Sequence, residues 1–182
     1  YAVGEEGALL TVTADPDHRP ALCGQVVMNS GQSCAEFTVV AVGVELLIGV
    51  ARLPGQPGLT DLDLSKRAHM TKQFWGINGN GGKLHHDGRF NDWLEVKDGD
   101  KRVPGFGAGD TVGLILDCDE GTLTVYKNGE LLGACLQHSV RLQKETLCWA
   151  VSLCGVCAAT GLPMAQPVGQ SVRIAAKVPP TK

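Results

Sequence analysis

The sequence predicts an all-β protein, a sandwich of two antiparallel sheets, and three observations support that class. Short apolar segments recur along the chain, with turn residues between nearly all of them. Helical periodicity is nearly absent, and the best helix candidate, residues 60–66, could equally be a loop turn. Hydrophobic residues make up 43% of the 182 residues, which is enough for one large core. Strands are expected at residues 9–13, 24–28, 35–42, 45–51, 74–77, 93–96, 111–116, 122–127, 131–136, 148–153 and 170–175.

The clearest local signal is the run at residues 105–132, which holds three extended segments and two tight turns. Its second turn is Asn128-Gly129, and Asn-Gly between apolar runs predicts a hairpin because a type I′ turn needs positive φ at both positions. An acidic loop that ends at Gly121 forms the first turn. We expect this run to be a scaffold that supports recognition loops elsewhere.

Composition excludes several functional classes. The net charge is −3 and the basic residues form no stripe, so nucleic-acid binding is not expected. No apolar stretch reaches membrane-spanning length without interruption, and Glu5 and Glu6 stand where a signal peptide would be basic. The seven cysteines lie largely in apolar runs, so we interpret them as buried free thiols of a cytoplasmic, reducing environment.

Several short motifs stand in an order that resembles a known family. They are Ser30-Gly31, residues 36–39, Ile48-Gly49-Val50-Ala51, Trp75-Gly76, residues 109–113, residues 121–123, Tyr126-Lys127-Asn128-Gly129, and Ala150-Val151-Ser152-Leu153. This series resembles the SPRY domain across residues 30–159. Residues 160–163 (Thr-Gly-Leu-Pro) are similar to those of tripartite-motif ubiquitin ligases with a fibronectin type III domain.

The resemblance implies a bent β-sandwich of the concanavalin-type jelly-roll class that occupies residues 1–176, with a variable N-terminal portion at 1–29 and a tail at 177–182. It also implies a monomeric module that binds a protein or peptide without a cofactor or membrane insertion. Such a module would target substrates for a ligase, or would bind the cytoskeleton. Some members grip an Asn-rich peptide with a Val-Trp-Gly trio, but this chain has Cys154, Gly155 and Val156 there, so that specificity is not expected.

Other readings remain as alternatives: an enzyme or a nucleotide- or small-ligand-binding domain, and a purely structural domain. Gly76 to Lys83 is rich in glycine, but its spacing fits neither a P-loop nor a dinucleotide fingerprint. Cys154 and Cys157 form half of a zinc motif without a second pair, so we predict no metal. No nucleophile stands beside an evident base, so we predict that the domain is not an enzyme.

The long polar segment 78–91 is predicted to be a loop, and such loops often carry function. Aromatic and arginine side chains at a loop edge can anchor an interface. A second candidate loop, at residues 53–58, is stiffened by two prolines, which lowers the cost of ordering it on binding. The predicted partner-binding residues are Asn78, Asn80, Lys83, His85, His86, Arg89, Phe90, Trp93, Pro54 and Pro57.

Overall fold

Two antiparallel sheets make up nearly all of the regular structure in the computed structural model of this chain. The structure describes residues 2–4, 9–11, 20–41, 45–55, 68–81, 83–87, 89–91, 105–136, 142–143, 145–154 and 171–177. The strands are β1 (Ala2–Gly4), β2 (Leu9–Thr11), β3 (Pro20–Met28), β4 (Gln32–Ala41), β5 (Glu45–Arg52), β6 (Phe74–Asn78), β7 (Leu84–His86), β8 (Arg89–Asn91), β9 (Thr111–Asp117), β10 (Thr122–Lys127), β11 (Glu130–Leu136), β12 (Leu147–Cys154) and β13 (Ser171–Lys177). Helical structure within those ranges is one 3-10 turn, Ala68–Met70. The predicted all-β sandwich of antiparallel sheets is confirmed.

Strands from distant parts of the sequence meet in each sheet. The seven-stranded sheet has the order β1-β2-β13-β4-β9-β10-β11, and the six-stranded sheet has the order β3-β12-β5-β6-β7-β8. All of these neighbouring strands pair antiparallel. β13 lies between β2 and β4, and β12 lies between β3 and β5. The C-terminal strands therefore join N-terminal strands that would otherwise lie apart.

The meander β9-β10-β11 forms as the sequence predicts. β10 occupies the expected residues 122–127, and β9 alternates between buried and partly buried positions. Asn128 and Gly129 have φ values of 51° and 83°, so both are in the left-handed region that a type I′ turn requires. The Asn-Gly pair thus fixes the register of β10 against β11.

The segment 78–91 is not the single long loop that the sequence predicts. β7 pairs with β6, and β8 pairs with β7, so residues 84–86 and 89–91 of this segment extend the six-stranded sheet. Both strands are three residues long and mostly polar, which leaves no alternating apolar pattern to detect. β1 was missed for the same reason of length. The helix candidate at 60–66 and the predicted strand at 93–96 lie outside the described residues.

The main core fills the space between the two sheets. Phe37 of β4 contacts Trp149 of β12 edge to face, with ring centroids 6.2 Å apart at an angle of 80°. Trp75 is 2% exposed and belongs to this core. Each large side chain buried here contributes about 1.5–3 kcal/mol through the removal of apolar surface from water.

A second, smaller core covers the outer face of the six-stranded sheet. It consists of Leu47 and Ala51 of β5, Phe74 of β6, Ala150 of β12, and Ala68 of the 3-10 turn. Successive residues of a strand point to opposite faces, so β5, β6 and β12 are buried on both sides. These three strands consequently form the most protected part of the fold.

The thiols that the structure describes are free. Cys34, Cys118 and Cys148 are buried, and Cys23 is partly buried, as the sequence predicts for this set. The side chains of Cys135, Cys154 and Cys157 lie outside the described part of the chain. Among the described residues, no helix has the length and apolarity needed to cross a membrane.

Candidate functional site

Five of the predicted binding residues lie at two opposite ends of the six-stranded sheet. β5 runs between these ends, and its eight residues span about 25 Å at roughly 3.3 Å per residue. We call one the Asn78 end (residues 78–81, 83, 105–110 and 128–129) and the other the Pro54 end (residues 52–55, 70–73, 86–87 and 145–146). The register pairs Leu47 with Asn78 at the first end and Ala51 with Phe74 near the second.

The predicted residues in the described ranges divide between the two ends and the strands that connect them. Asn78, Asn80 and Lys83 belong to the Asn78 end, whereas Pro54 and His86 belong to the Pro54 end. The ladder places Arg89 opposite His86, and Phe90 opposite His85, which itself pairs with Gly76. Pro57 and Trp93 lie outside the described residues. The two predicted loops therefore do not form one continuous surface in the part of the chain that the structure describes.

At the Asn78 end, the turn after β6 is shaped by its own first residue. The Asn78 side-chain oxygen accepts a 2.6 Å hydrogen bond from the Asn80 backbone N–H, which is the geometry of an Asx turn. The Asn78 backbone N–H donates to the Lys83 carbonyl at 2.9 Å and closes the turn. Asn78 itself is only 8% exposed, while Asn80 and Lys83 are exposed. Asn78 thus fixes the turn, and the other two residues present their side chains on it.

A second loop at this end is joined to the turn through the backbone. The Phe106 N–H donates to the Gly79 carbonyl at 2.7 Å, and the Gly79 N–H donates to the Leu46 carbonyl at 2.8 Å. The Phe106 side chain is buried in the main core. A Cβ atom on Gly105 would overlap the Gly79 carbonyl oxygen, so this close approach requires glycine. Three segments of the chain are therefore connected by main-chain contacts at the Asn78 end.

Asp110 and Lys127 attach the loop at residues 105–110 to the seven-stranded sheet. Lys127 Nζ lies 2.9 Å from Asp110 Oδ2 and donates at 2.9 Å to the Gly105 carbonyl. The Gly107 N–H donates to Asp110 Oδ2 at 2.7 Å, and Asn128 Nδ2 donates to Oδ1 at 2.8 Å. The Gly107 N–H, then Asn128, and then Lys127 favour the ionised form, and together they lower the pKa of Asp110 to about 2. The sequence predicts a scaffold at these residues and carries no signal that they contact the turn at the Asn78 end.

At the Pro54 end, His86 contributes to the fold through its ring. The imidazole stacks on the indole of Trp75, with centroids 4.8 Å apart and planes 10° from parallel. His86 Nδ1 lies 2.9 Å from the Phe74 carbonyl oxygen, which can only accept, so Nδ1 carries the proton in this contact. His86 is half-buried and lies on β7 instead of on the predicted long loop.

The Pro54 end also contains a largely buried ion pair between Arg52 and Glu145. The Arg52 guanidinium donates through two nitrogens to the Glu145 carboxylate, and both side chains are largely shielded from solvent. The Arg52 N–H also donates to the Gln73 carbonyl at 2.8 Å. Pro54 is exposed nearby, and Met70 is 55% exposed on the 3-10 turn. Pro54 and Met70 are thus exposed apolar side chains at this end, near the Arg52–Glu145 ion pair.

The thiols of the described core are poorly suited to nucleophilic chemistry. Burial, with smaller effects from Asp119 and Asp117, raises the pKa of Cys118 to about 11. Burial and the neighbouring Cys23 raise the pKa of Cys148 to about 12. Within the described ranges, no group of three or more His, Cys, Asp or Glu residues could hold a metal ion. In the described part of the chain, Cys118 and Cys148 are therefore protonated near neutral pH, and no metal-binding cluster is present.

Comparison with known proteins decides the family. The family model of the SPRY domain matches residues 36–163, which is more than half of the chain. This chain belongs to the SPRY domain family. SPRY domains are in general non-catalytic protein-interaction modules, and the resemblance inferred from the sequence motifs is confirmed at that level.

Solved structures agree with the fold. The crystal structure of the SPRY domain of human HERC1 superposes with a TM-score of 0.63 at 20% sequence identity, and the match covers 93% of this chain and 89% of that one. At this identity the likeness concerns the fold alone. No curated protein sequence matches the chain.

Proposed function

We propose that this SPRY domain recognises a partner protein through the Asn78 end of the sandwich. The observation that carries the proposal is the set of backbone hydrogen bonds from Leu46 through Gly79 to Phe106. These bonds hold the exposed Asn80 and Lys83 in one arrangement before any partner arrives. A surface that is ordered beforehand loses less conformational entropy on association, so more of its contact energy appears as affinity.

The proposal extends to the context of the domain. We infer a monomeric targeting module of a larger cytoplasmic protein, such as a tripartite-motif-type ubiquitin ligase or a cytoskeleton-associated protein. The residues that suggested this subgroup, 160–163, lie outside the described part of the chain. The role as a substrate-selecting module is compatible with a rigid polar surface that touches its partner and leaves chemistry to another domain.

Two double variants at opposite ends test the proposed surface. Asn80→Ala with Lys83→Glu changes the Asn78 end, and Met70→Ala with Lys72→Glu is the matched change at the Pro54 end, since all four residues are exposed. Proteins captured from cell lysate by wild type and by each variant are quantified by mass spectrometry. Circular dichroism and thermal unfolding serve as fold controls.

The expected result is that at least one protein retained by wild type is lost from the Asn78-end variant and kept by the Pro54-end variant. If the Asn78-end variant keeps the captured proteins and the Pro54-end variant loses them, recognition lies at the Pro54 end and the proposed surface is refuted. Equal retention by all three proteins would also refute it. If wild type retains no protein above an unrelated β-sandwich, the structural-domain alternative is favoured.

A further inference from the structure

We infer that Lys127 is a positioning residue for the surface at the Asn78 end, although it lies on the opposite sheet. The inference rests on the proposed function for its effect on binding, and on geometry alone for its effect on the loop. Lys127 ends β10, and its side chain is 21% exposed. Its ammonium group has two oxygen partners at 2.9 Å, the Gly105 carbonyl and the Asp110 carboxylate.

The Gly105–Asp110 loop crosses from one sheet to the other, and its two halves are held by different partners. The second half of the loop forms two backbone hydrogen bonds with Val39 of β4. The Gly109 N–H donates to the Val39 carbonyl at 2.8 Å, and the Val39 N–H donates to the Asp110 carbonyl at 2.9 Å. In the first half, Lys127 Nζ donates from the seven-stranded sheet to the Gly105 carbonyl, and the Phe106 side chain packs in the main core. Loss of the Lys127 ammonium should therefore loosen the first half while β4 retains the second.

The first half of the loop is the part that touches the Asn78 turn. Phe106 follows Gly105 directly, and its N–H donates to the Gly79 carbonyl at 2.7 Å. Gly79 in turn donates to Leu46 on β5. The series Lys127, Gly105, Phe106, Gly79 thus joins the seven-stranded sheet to the turn that presents Asn80 and Lys83. The Lys127 side chain reaches the first half of this loop at Gly105, whereas the shorter Asn128 side chain reaches the second half at Asp110.

The ion pair between Arg52 and Glu145 provides a matched control. It also lies at one end of the sandwich, and its side chains are 14% and 11% exposed, against 21% and 20% for Lys127 and Asp110. If charged pairs only stabilise the fold, then Lys127→Met and Arg52→Met should affect the Asn78 end equally. If Lys127 positions the turn, only Lys127→Met should change it.

The experiment measures backbone amide exchange in the wild type and three variants by NMR. The Leu53 N–H, beside the Arg52–Glu145 pair, donates to the Thr146 carbonyl at 2.9 Å and serves as the control amide. In Lys127→Met, exchange at the Gly79 and Phe106 amides should rise about tenfold or more, with the Leu53 amide unchanged. In Arg52→Met, the Leu53 amide should speed up and the other two should not. Lys127→Arg keeps a cation with several donors and should restore exchange close to that of wild type.

Binding is then measured for a partner that the Asn80 and Lys83 changes release, and Lys127→Met should weaken it about tenfold while Arg52→Met leaves it unchanged. The inference is overturned if Lys127→Met leaves the Gly79 and Phe106 amides as slow as in wild type, or if both methionine variants accelerate them alike. It is also overturned if those amides loosen and an Asn78-end partner still binds with full affinity. Failure of the proposed function is distinct, because it appears as Asn80 and Lys83 variants that retain every partner.

Discussion

Replacing Asp110 with asparagine removes the charge that holds the Gly105–Asp110 loop beside β10 and keeps the size of the side chain. The carboxylate accepts from the Gly107 N–H, the Asn128 amide and the Lys127 ammonium, at 2.7, 2.8 and 2.9 Å. Its pKa falls from an ordinary 3.8 to about 2, which corresponds to about 2.5 kcal/mol between the two protonation states. The side chain is 20% exposed, so solvent screening reduces the expected contribution to about 1–2 kcal/mol.

The pH dependence follows from the direction of the shift. Because the folded state lowers the pKa of Asp110, the stabilisation is complete above about pH 5 and disappears as the pH falls from about 4 to 2. Urea unfolding of wild type and Asp110→Asn, followed by tryptophan fluorescence at pH 7 and pH 3, measures this difference. Asp119→Asn, at an exposed position in the turn between β9 and β10, is the control.

The expected loss for Asp110→Asn is about 1–2 kcal/mol at pH 7, and it should fall to about half of that value at pH 3. Asp119→Asn should change the free energy of unfolding by less than about 0.5 kcal/mol. A loss of the same size at both pH values would show that the charge is not the cause. No loss at pH 7 would contradict the stabilising role of the three donors.

Three further changes have measurable outcomes. Gly105→Ala forces a methyl group against the Gly79 carbonyl and should lower the free energy of unfolding in urea by about 1–3 kcal/mol. An unchanged urea midpoint would mean that the two loops separate without penalty. Leu123→Ala removes a fully buried side chain of β10 and should cost about 2–5 kcal/mol, whereas a loss below 1 kcal/mol would indicate that the core refills the space. At pH 8, Cys118 and Cys148 should resist iodoacetamide in the native protein, because pKa values of about 11 and 12 leave about 0.1% or less of each thiol as thiolate. Peptide mass spectrometry detects the labelling, and rapid labelling would show that the burial of these thiols is transient.

The sequence was most informative where a local rule fixes the backbone. Asn128-Gly129 predicted both the type I′ turn and the bounds of β10, because few other residue pairs tolerate positive φ at both positions. The order of the short motifs was sufficient to indicate the SPRY family. In contrast, β7 and β8 escaped detection, since three residues cannot display a period of two against a polar background.

The division of the candidate site between two ends had a signal in the sequence that a loop-by-loop reading overlooks. Pro54 follows β5 and Asn78 follows β6, and these two strands are antiparallel neighbours. Segments that follow successive antiparallel strands must leave the sheet at opposite ends. The contact of Lys127 with Gly105 had no such signal, because it depends on how two sheets pack and the residues are 22 positions apart.

The placement of β12 and β13 has a consequence for how the protein is made. β12 lies between β3 and β5, and β13 lies between β2 and β4, so neither sheet is complete until the last strands have left the ribosome. Contacts between residues so distant in sequence are slow to form, on a scale of milliseconds to seconds. Until then β3, β4 and β5 expose apolar surface with no partner from the C-terminal strands. The nascent chain therefore has a long interval in which chaperones, or a neighbouring domain, can determine whether it folds.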